Sequence, residues 1–161
     1  MWKFIKGRYC ESYFHFLHLD DYNVISVDWE SLAAGPNYVR AARNAIPSGL
    51  RVAEFLQSLM DVTGAALEDF HAIGSSLGGQ MMAGLGQGMK GRMKRITAMD
   101  PAGKTLHTFM SITCVSAEIL FTGPMFHLAS PEERLDPDDA ELVDVIHTAG
   151  RWVGMDGIVS E

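Results

Sequence analysis

The stretch FHAIGSSLGGQMMAGLG, residues 70–86, decides how the chain is read. Its first residues, Phe70 to Gly74, are a short apolar run of strand character, led in by Leu67-Glu68-Asp69. From Leu77 to about Gly88 the chain is rich in Gly, Ala and Met, and a helix is predicted. Glycine lowers helix propensity, so its repeated use points to close packing on a neighbouring sheet. Between strand and helix stands Gly74-Ser75-Ser76-Leu77-Gly78, a G-x-S-x-G pattern. Glycine and serine are common, so the pattern carries weight through its position. It closes a strand and opens a helix, as a turn that exposes a serine nucleophile requires. Such a turn lifts the Ser76 hydroxyl above the strand ends, beside the positive end of the helix dipole. The Leu77 N–H is then one donor for an oxyanion. The alternative is a glycine-bounded turn with no chemistry.

Working outward, Arg95-Ile96-Thr97-Ala98-Met99-Asp100 is a short strand ended by Pro101-Ala102-Gly103. A serine hydroxyl needs a base, and the base needs an orienting acid. Asp100, at the end of the strand that follows Ser76, stands where chain order puts that acid. Its other reading is a strand-end aspartate capping the turn with Pro101. Val143 to His147 is a further strand, and so is the β-branched run Asn23 to Trp29. Between Asn37 and about Met60 the pattern is helical. Tyr38, Ala41, Ala42 and Ala45 share one face, and Val52, Phe55, Leu56 and Leu59 repeat the spacing. Pro47-Ser48-Gly49 predicts a kink or two consecutive helices, and Thr63-Gly64 closes the run. Strands alternating with helices predict a parallel α/β sheet.

The chain has 161 residues, 47% hydrophobic and 20% charged, which suits one globular domain or part of one. A disordered or low-complexity chain is excluded. The net charge of −7 without a basic block excludes ordinary nucleic-acid binding. No apolar run is long enough for a transmembrane segment. Cys10 and Cys114 are too few for a disulfide framework; two free thiols are the commoner reading, with a single bridge as the alternative. The N-terminal residues lack a signal-peptide pattern, which taken alone favours the cytosol.

Six segments together resemble the animal pancreatic-type lipase family of α/β-hydrolases, its insect members most of all. They are DYNVISVDW (21–29), YVRAARN (38–44), VAEFLQSL (52–59), LEDFHAIGSSLGGQMMAGLG (67–86), GRMKRITAMDPAG (91–103) and RLDPDDAELVDVIHTAG (134–150), in the family's order. The resemblance implies a partial catalytic domain over residues 1–161, with a partial parallel sheet flanked by helices. It makes Ser76 the nucleophile, Asp100 the triad acid and Leu77 N–H an oxyanion donor. The implied activity is a serine carboxylic-ester hydrolase cleaving acylglycerol or phospholipid esters in lipid catabolism. The implied setting is extracellular, at a lipid–water interface. The chain departs from the family at Ser75, where histidine is usual, and at Gly79, where alanine is usual.

RLDPDDA also resembles the family's calcium loop. The matching oxygen donors are Asp136, Asp139, the Arg134 carbonyl and Glu132 or Glu133, a hard set suited to a structural Ca²⁺. Read without the family, these residues are a solvated acidic turn. The family's catalytic histidine is expected beyond residue 161, and its first oxyanion element before residue 23. By the same likeness His147 is a packed, non-catalytic strand histidine, and His71 reads as structural. His107 and His127 fall in a region the family lacks or varies. Within it, residues 104–123 read as an apolar insertion after the acid loop. Residues 1–20 carry no likeness. Two other functions remain open at this stage: a catalytically inactive lipase-fold protein that binds lipid or a partner, and a truncated product without function.

Overall fold

The computed structural model describes residues 18, 21–34, 37–103, 126 and 129–148. The expectations for residues 1–20 and 104–123 therefore lie outside the described residues, apart from His18, as do Cys10, Cys114, His107 and His127. The chain divides into two units, Met1–Glu30 and Ser31–Glu161. In the first, residues 22–29 form no strand, contrary to the sequence expectation. Strand propensity describes fit to a pleated, half-buried surface. Here Ile25 and Val27 are 46% and 44% exposed, so the β-branched run has no such surface. A short helix, α1 (Glu30–Ala33), follows, with Asp28 Oδ1 accepting the Glu30 N–H at 2.9 Å.

The next helix, α2 (Tyr38–Thr63), runs 26 residues without a break. Of the two expectations at Pro47, a kink or two consecutive helices, the second does not occur. Asn37 caps the start, its side chain accepting the Arg40 N–H at 3.0 Å. Gly64 ends it in the left-handed region at φ 73°, donating to Met60 O. The buried face is made of Ala41, Ala42, Ala45, Ser48, Gly49, Ala53 and Leu56. Pro47 withdraws one N–H from the ladder, and tertiary packing beside it offsets that loss. A Cβ on Gly49 would lie 2.0 Å from Met81 O, and one on Gly84 would lie 2.1 Å from Ile46 O. Two backbones therefore touch at this crossing.

The second backbone belongs to α3 (Leu77–Gly88), which follows strand β1 (His71–Ser75). Two more strands, β2 (Arg95–Met99) and β3 (Val143–Ile146), complete a parallel sheet in the order β1-β2-β3. His71 to Ser75 pair with Arg95 to Met99, and Ile96 to Met99 pair with Val143 to Ile146. Residues Gly79 to Gly86 of α3 are all buried, as a helix enclosed on several sides must be. Its glycines face more than the expected sheet. Gly84 and Gly88 meet α2, Gly86 meets Asp139, and Gly79 meets Pro101 and Ala98.

One sheet face turns toward α3 through Ile96 and Ala98, both fully buried. The opposite face carries a polar chain across all three strands. Arg95 donates to Asp144 from Nε and Nη2, at 3.1 and 2.7 Å. The Thr97 hydroxyl donates to Asp144 Oδ2 at 3.0 Å, so its oxygen accepts from His71 Nε2 at 2.8 Å. Partial burial, aided by the Arg95 charge and opposed by Asp144, lowers the His71 pKa below 6.5. Arg95 holds the Asp144 carboxyl below its usual range.

Two predictions follow from this packing. Gly84→Ala forces α2 and α3 apart and lowers stability by about 1–3 kcal/mol in urea melts, whereas Gly78→Ala, with no atom within 4 Å of the added carbon, does not. For His71 the fold favours the neutral ring, so the unfolded chain binds the proton more readily. Its contribution is complete above pH 6.5 and is lost as pH falls below that value. His71→Gln should flatten the fall in Tm over that range.

Candidate active site

The turn between β1 and α3 is built from contacts that a side chain would block. A Cβ on Gly74 would lie 2.2 Å from Gly78 O, so only glycine permits the chain to fold back there. Ser76 then takes φ 54° and ψ −121°, a region that non-glycine residues rarely adopt. Three main-chain bonds impose it. Ser76 N–H donates to Met99 O at 3.0 Å, and Ser76 O accepts from Gly79 N and Ala102 N, each at 3.0 Å. Ser76 is exposed. The Leu77 side chain packs inward against Ala42, Ala102 and Phe126. Its N–H opens α3, where no intrahelical acceptor exists.

The register Ser75↔Met99 makes Ser76 and Asp100 the next residues on neighbouring parallel strands. Both lie past the C-terminal strand ends, where open α/β sheets hold their ligands. Asp100 is a second non-glycine residue at positive φ, 44°. Its N–H donates to Ile146 O at 2.8 Å, which ties it to β3. Both carboxylate oxygens accept from Thr148, Oδ1 from the main-chain N–H at 2.6 Å and Oδ2 from the hydroxyl. Asp100 is thus more than a cap on the Pro101 turn.

Gly79 replaces the larger residue expected from the resemblance. A Cβ there would approach Pro101 Cβ to 3.0 Å, so the acid loop sits tightly on α3. Gln80 reinforces that seat. It is buried, donates from Nε2 to Ala102 O at 2.6 Å, and accepts Leu135 N–H on Oε1 at 3.0 Å. Sequence reasoning missed Gln80 and Thr148. A lone amide in a Gly/Ala/Met helix was a signal for the first. Thr148 follows a strand as many threonines do and carried none.

The acidic turn lies at the other end of α3. Asp136 opens a short 3-10 turn (Pro137–Asp139), accepts Asp138 N–H at 2.7 Å, and donates its own N–H to Asp139 Oδ2 at 3.0 Å. Asp139 is 4% exposed. Burial pushes its carboxyl up to about 7, and the charges of Asp136 and Asp138 push the same way against the Asp136 hydrogen bond. The turn is therefore partly buried, unlike a simple solvated loop. Glu132 is exposed, and its carbonyl accepts from Gln87 Nε2 at 2.9 Å. Glu133 Oε2 accepts from Ser130, and Arg134 donates from Nε to Ala129 O at 3.3 Å. Among the described residues no three His, Cys, Asp or Glu side chains group as metal ligands.

Of the described histidines, His71 lies at the N-terminal end of β1, away from Ser76. His147 keeps a buried Nδ1 without a hydrogen-bond partner.

Comparison with known proteins completes the description. The chain is 33% identical to Lipase member H of Oryctolagus cuniculus over 132 residues, 82% of this chain and 25% of that protein. It is 35% identical to Lipase member H of Danio rerio over 132 residues, 82% of this chain and 24% of that protein. To Pancreatic lipase-related protein 2 of Homo sapiens it is 38% identical over 126 residues, 78% of this chain and 22% of that protein. The chain thus spans 22–25% of the length of these curated relatives. The sequence model of the family described as Lipase matches residues 7–118 and 112–159. That match, the relatives and the parallel sheet with its flanking helices, an α/β-hydrolase arrangement, agree that the chain belongs to the lipase family.

Proposed function

We propose that this chain carries the nucleophile and acid of a serine carboxylic-ester hydrolase acting on acylglycerol or phospholipid esters. The observation that carries the reading is Ser76, strained at φ 54° between a strand and a helix and placed beside Asp100 by strand register. Ser76 Oγ attacks the ester carbonyl. A histidine takes the proton and returns it to the leaving alcohol, while Asp100 orients that histidine. The Leu77 N–H stabilises the oxyanion. By the family likeness the base is a histidine, and no described residue matches it. Neither His71 nor His147 has a hydrogen bond that would fit it for the task.

By the family likeness we assign a structural calcium ion to the acidic turn, whose carboxylates, among the described residues, are not gathered into a ready ligand cluster. A buried carboxylate crowded by two others, as Asp139 is, gains from a hard cation. Asp136, Asp139, the Arg134 carbonyl and Glu132 are the residues that would hold it. Asp139 meets Gly86, toward the end of α3 away from Ser76. The ion would steady the scaffold and take no part in the ester chemistry. The same reading expects action at a lipid–water interface outside the cell, in lipid catabolism. Among the described residues no helix is long and apolar enough to cross a membrane.

A fluorophosphonate probe tests the reading, because it needs an activated serine. The full chain should be labelled at Ser76, faster when imidazole is added as a diffusible base, and Ser76→Ala should abolish labelling. A folded chain that resists the probe with and without imidazole is instead a lipase-fold binding protein, and lipid binding without turnover is then the property to measure. For the ion, added Ca²⁺ should raise Tm at pH 8 in the wild type and not in Asp139→Asn.

A further inference from the structure

We infer that Thr148, just past the end of β3, is the positioning residue for the Asp100 carboxylate. The inference rests on the reading of Asp100 as the acid that orients the base. Asp100 leaves β2 at φ 44°, so its side chain departs from the regular alternation of the strand. Something must fix its rotation if the carboxylate is to hold an imidazole. Thr148 does so from two atoms, its N–H on Oδ1 at 2.6 Å and its hydroxyl on Oδ2. The bond from Asp100 N–H to Ile146 O, at 2.8 Å, sets the spacing of the strand ends that bear both residues. Main chain and side chain are therefore held by the same strand.

The chemistry of the two groups fits this role. An ionised carboxylate offers about four acceptor positions. Thr148 occupies one on each oxygen. Any residue at 148 other than proline supplies the main-chain donor. The hydroxyl adds a second contact from Thr148, on the other carboxylate oxygen. Threonine and serine provide it, and valine of nearly the same shape does not. The three parallel strands then have distinct duties at their C-terminal ends: β1 delivers Ser76, β2 delivers Asp100, and β3 delivers the group that steadies Asp100.

The test compares Thr148→Val and Thr148→Ser in the full chain by the rate at which the fluorophosphonate labels Ser76, with and without imidazole. Thr148→Val should slow the imidazole-dependent part about tenfold, while Thr148→Ser stays within about twofold of wild type. The two variants should share one Tm. A Thr148→Val protein labelled at the wild-type rate overturns the inference, as does an equal loss in both variants. If wild type is not labelled even with imidazole, the hydrolase reading fails, and proton NMR judges Thr148 separately. A slowly exchanging Thr148 hydroxyl and a downfield Thr148 amide, both displaced in Asp100→Asn, uphold the hold on the carboxylate. Their absence refutes it.

Discussion

The backbone strain at Ser76 is the constraint on which the other parts depend. A non-glycine residue in such a region costs about 1–3 kcal/mol and persists only where its surroundings insist on it. The insistence here comes from three directions. Met99 O at the end of β2 accepts the Ser76 N–H, and Gly79 of α3 and Ala102 of the acid loop both donate to Ser76 O. Strand, helix and loop are thereby fastened to one peptide unit. The Asp100 loop and Ser76 cannot shift independently, which is what the proposed sharing of one base requires. Gly74 makes the arrangement sterically possible, since Gly78 O occupies the space a side chain would need.

α3 carries this constraint into the interior. Its first residue anchors inward through Leu77, its middle lies against Ala98, Pro101 and α2, and its last turns meet the acidic turn. Small residues are needed where backbones approach to contact distance, and they appear in α2 and α3 at matching heights, Gly49 opposite Met81 and Gly84 opposite Ile46. One rigid element thus sets both the turn that bears Ser76 and the seat of the carboxylate-rich turn. Gln80, bonded to Ala102 O and Leu135 N, joins the two regions through the protein interior.

The elements around the serine were legible because local pattern and tertiary demand agree there. The strand before it, the helix after it and the two later strands stand where apolar runs and turn residues placed them, within a residue or so. Residues 23–29 show the limit of such reading. A β-branched run states a preference, and the preference is realised only against a partner. Pro47 shows the converse: a residue that breaks isolated helices is tolerated where close packing fixes the backbone around it. At the site, Ser76 and Asp100 could be named from motif and chain order, and the family likeness covered the same residues. The burial of Asp139, the bridge through Gln80 and the grip of Thr148 arise from contacts between residues far apart in sequence, which no local pattern encodes.

The separation of Asp100 and Thr148 has a dynamic consequence. They lie 48 residues apart, whereas α2, β1 and α3 follow one another closely. Closing a long loop costs more chain entropy than closing a short one, and such non-local contacts tend to slow folding. The helical pair and the serine turn can assemble from neighbouring segments, but the contact of Asp100 with Thr148 forms only once β3 has docked. Local opening of β3 would break the Thr148 contacts to the carboxylate. On the proposed function, reactivity at Ser76 then follows the docking of β3 and fades before the molecule as a whole unfolds.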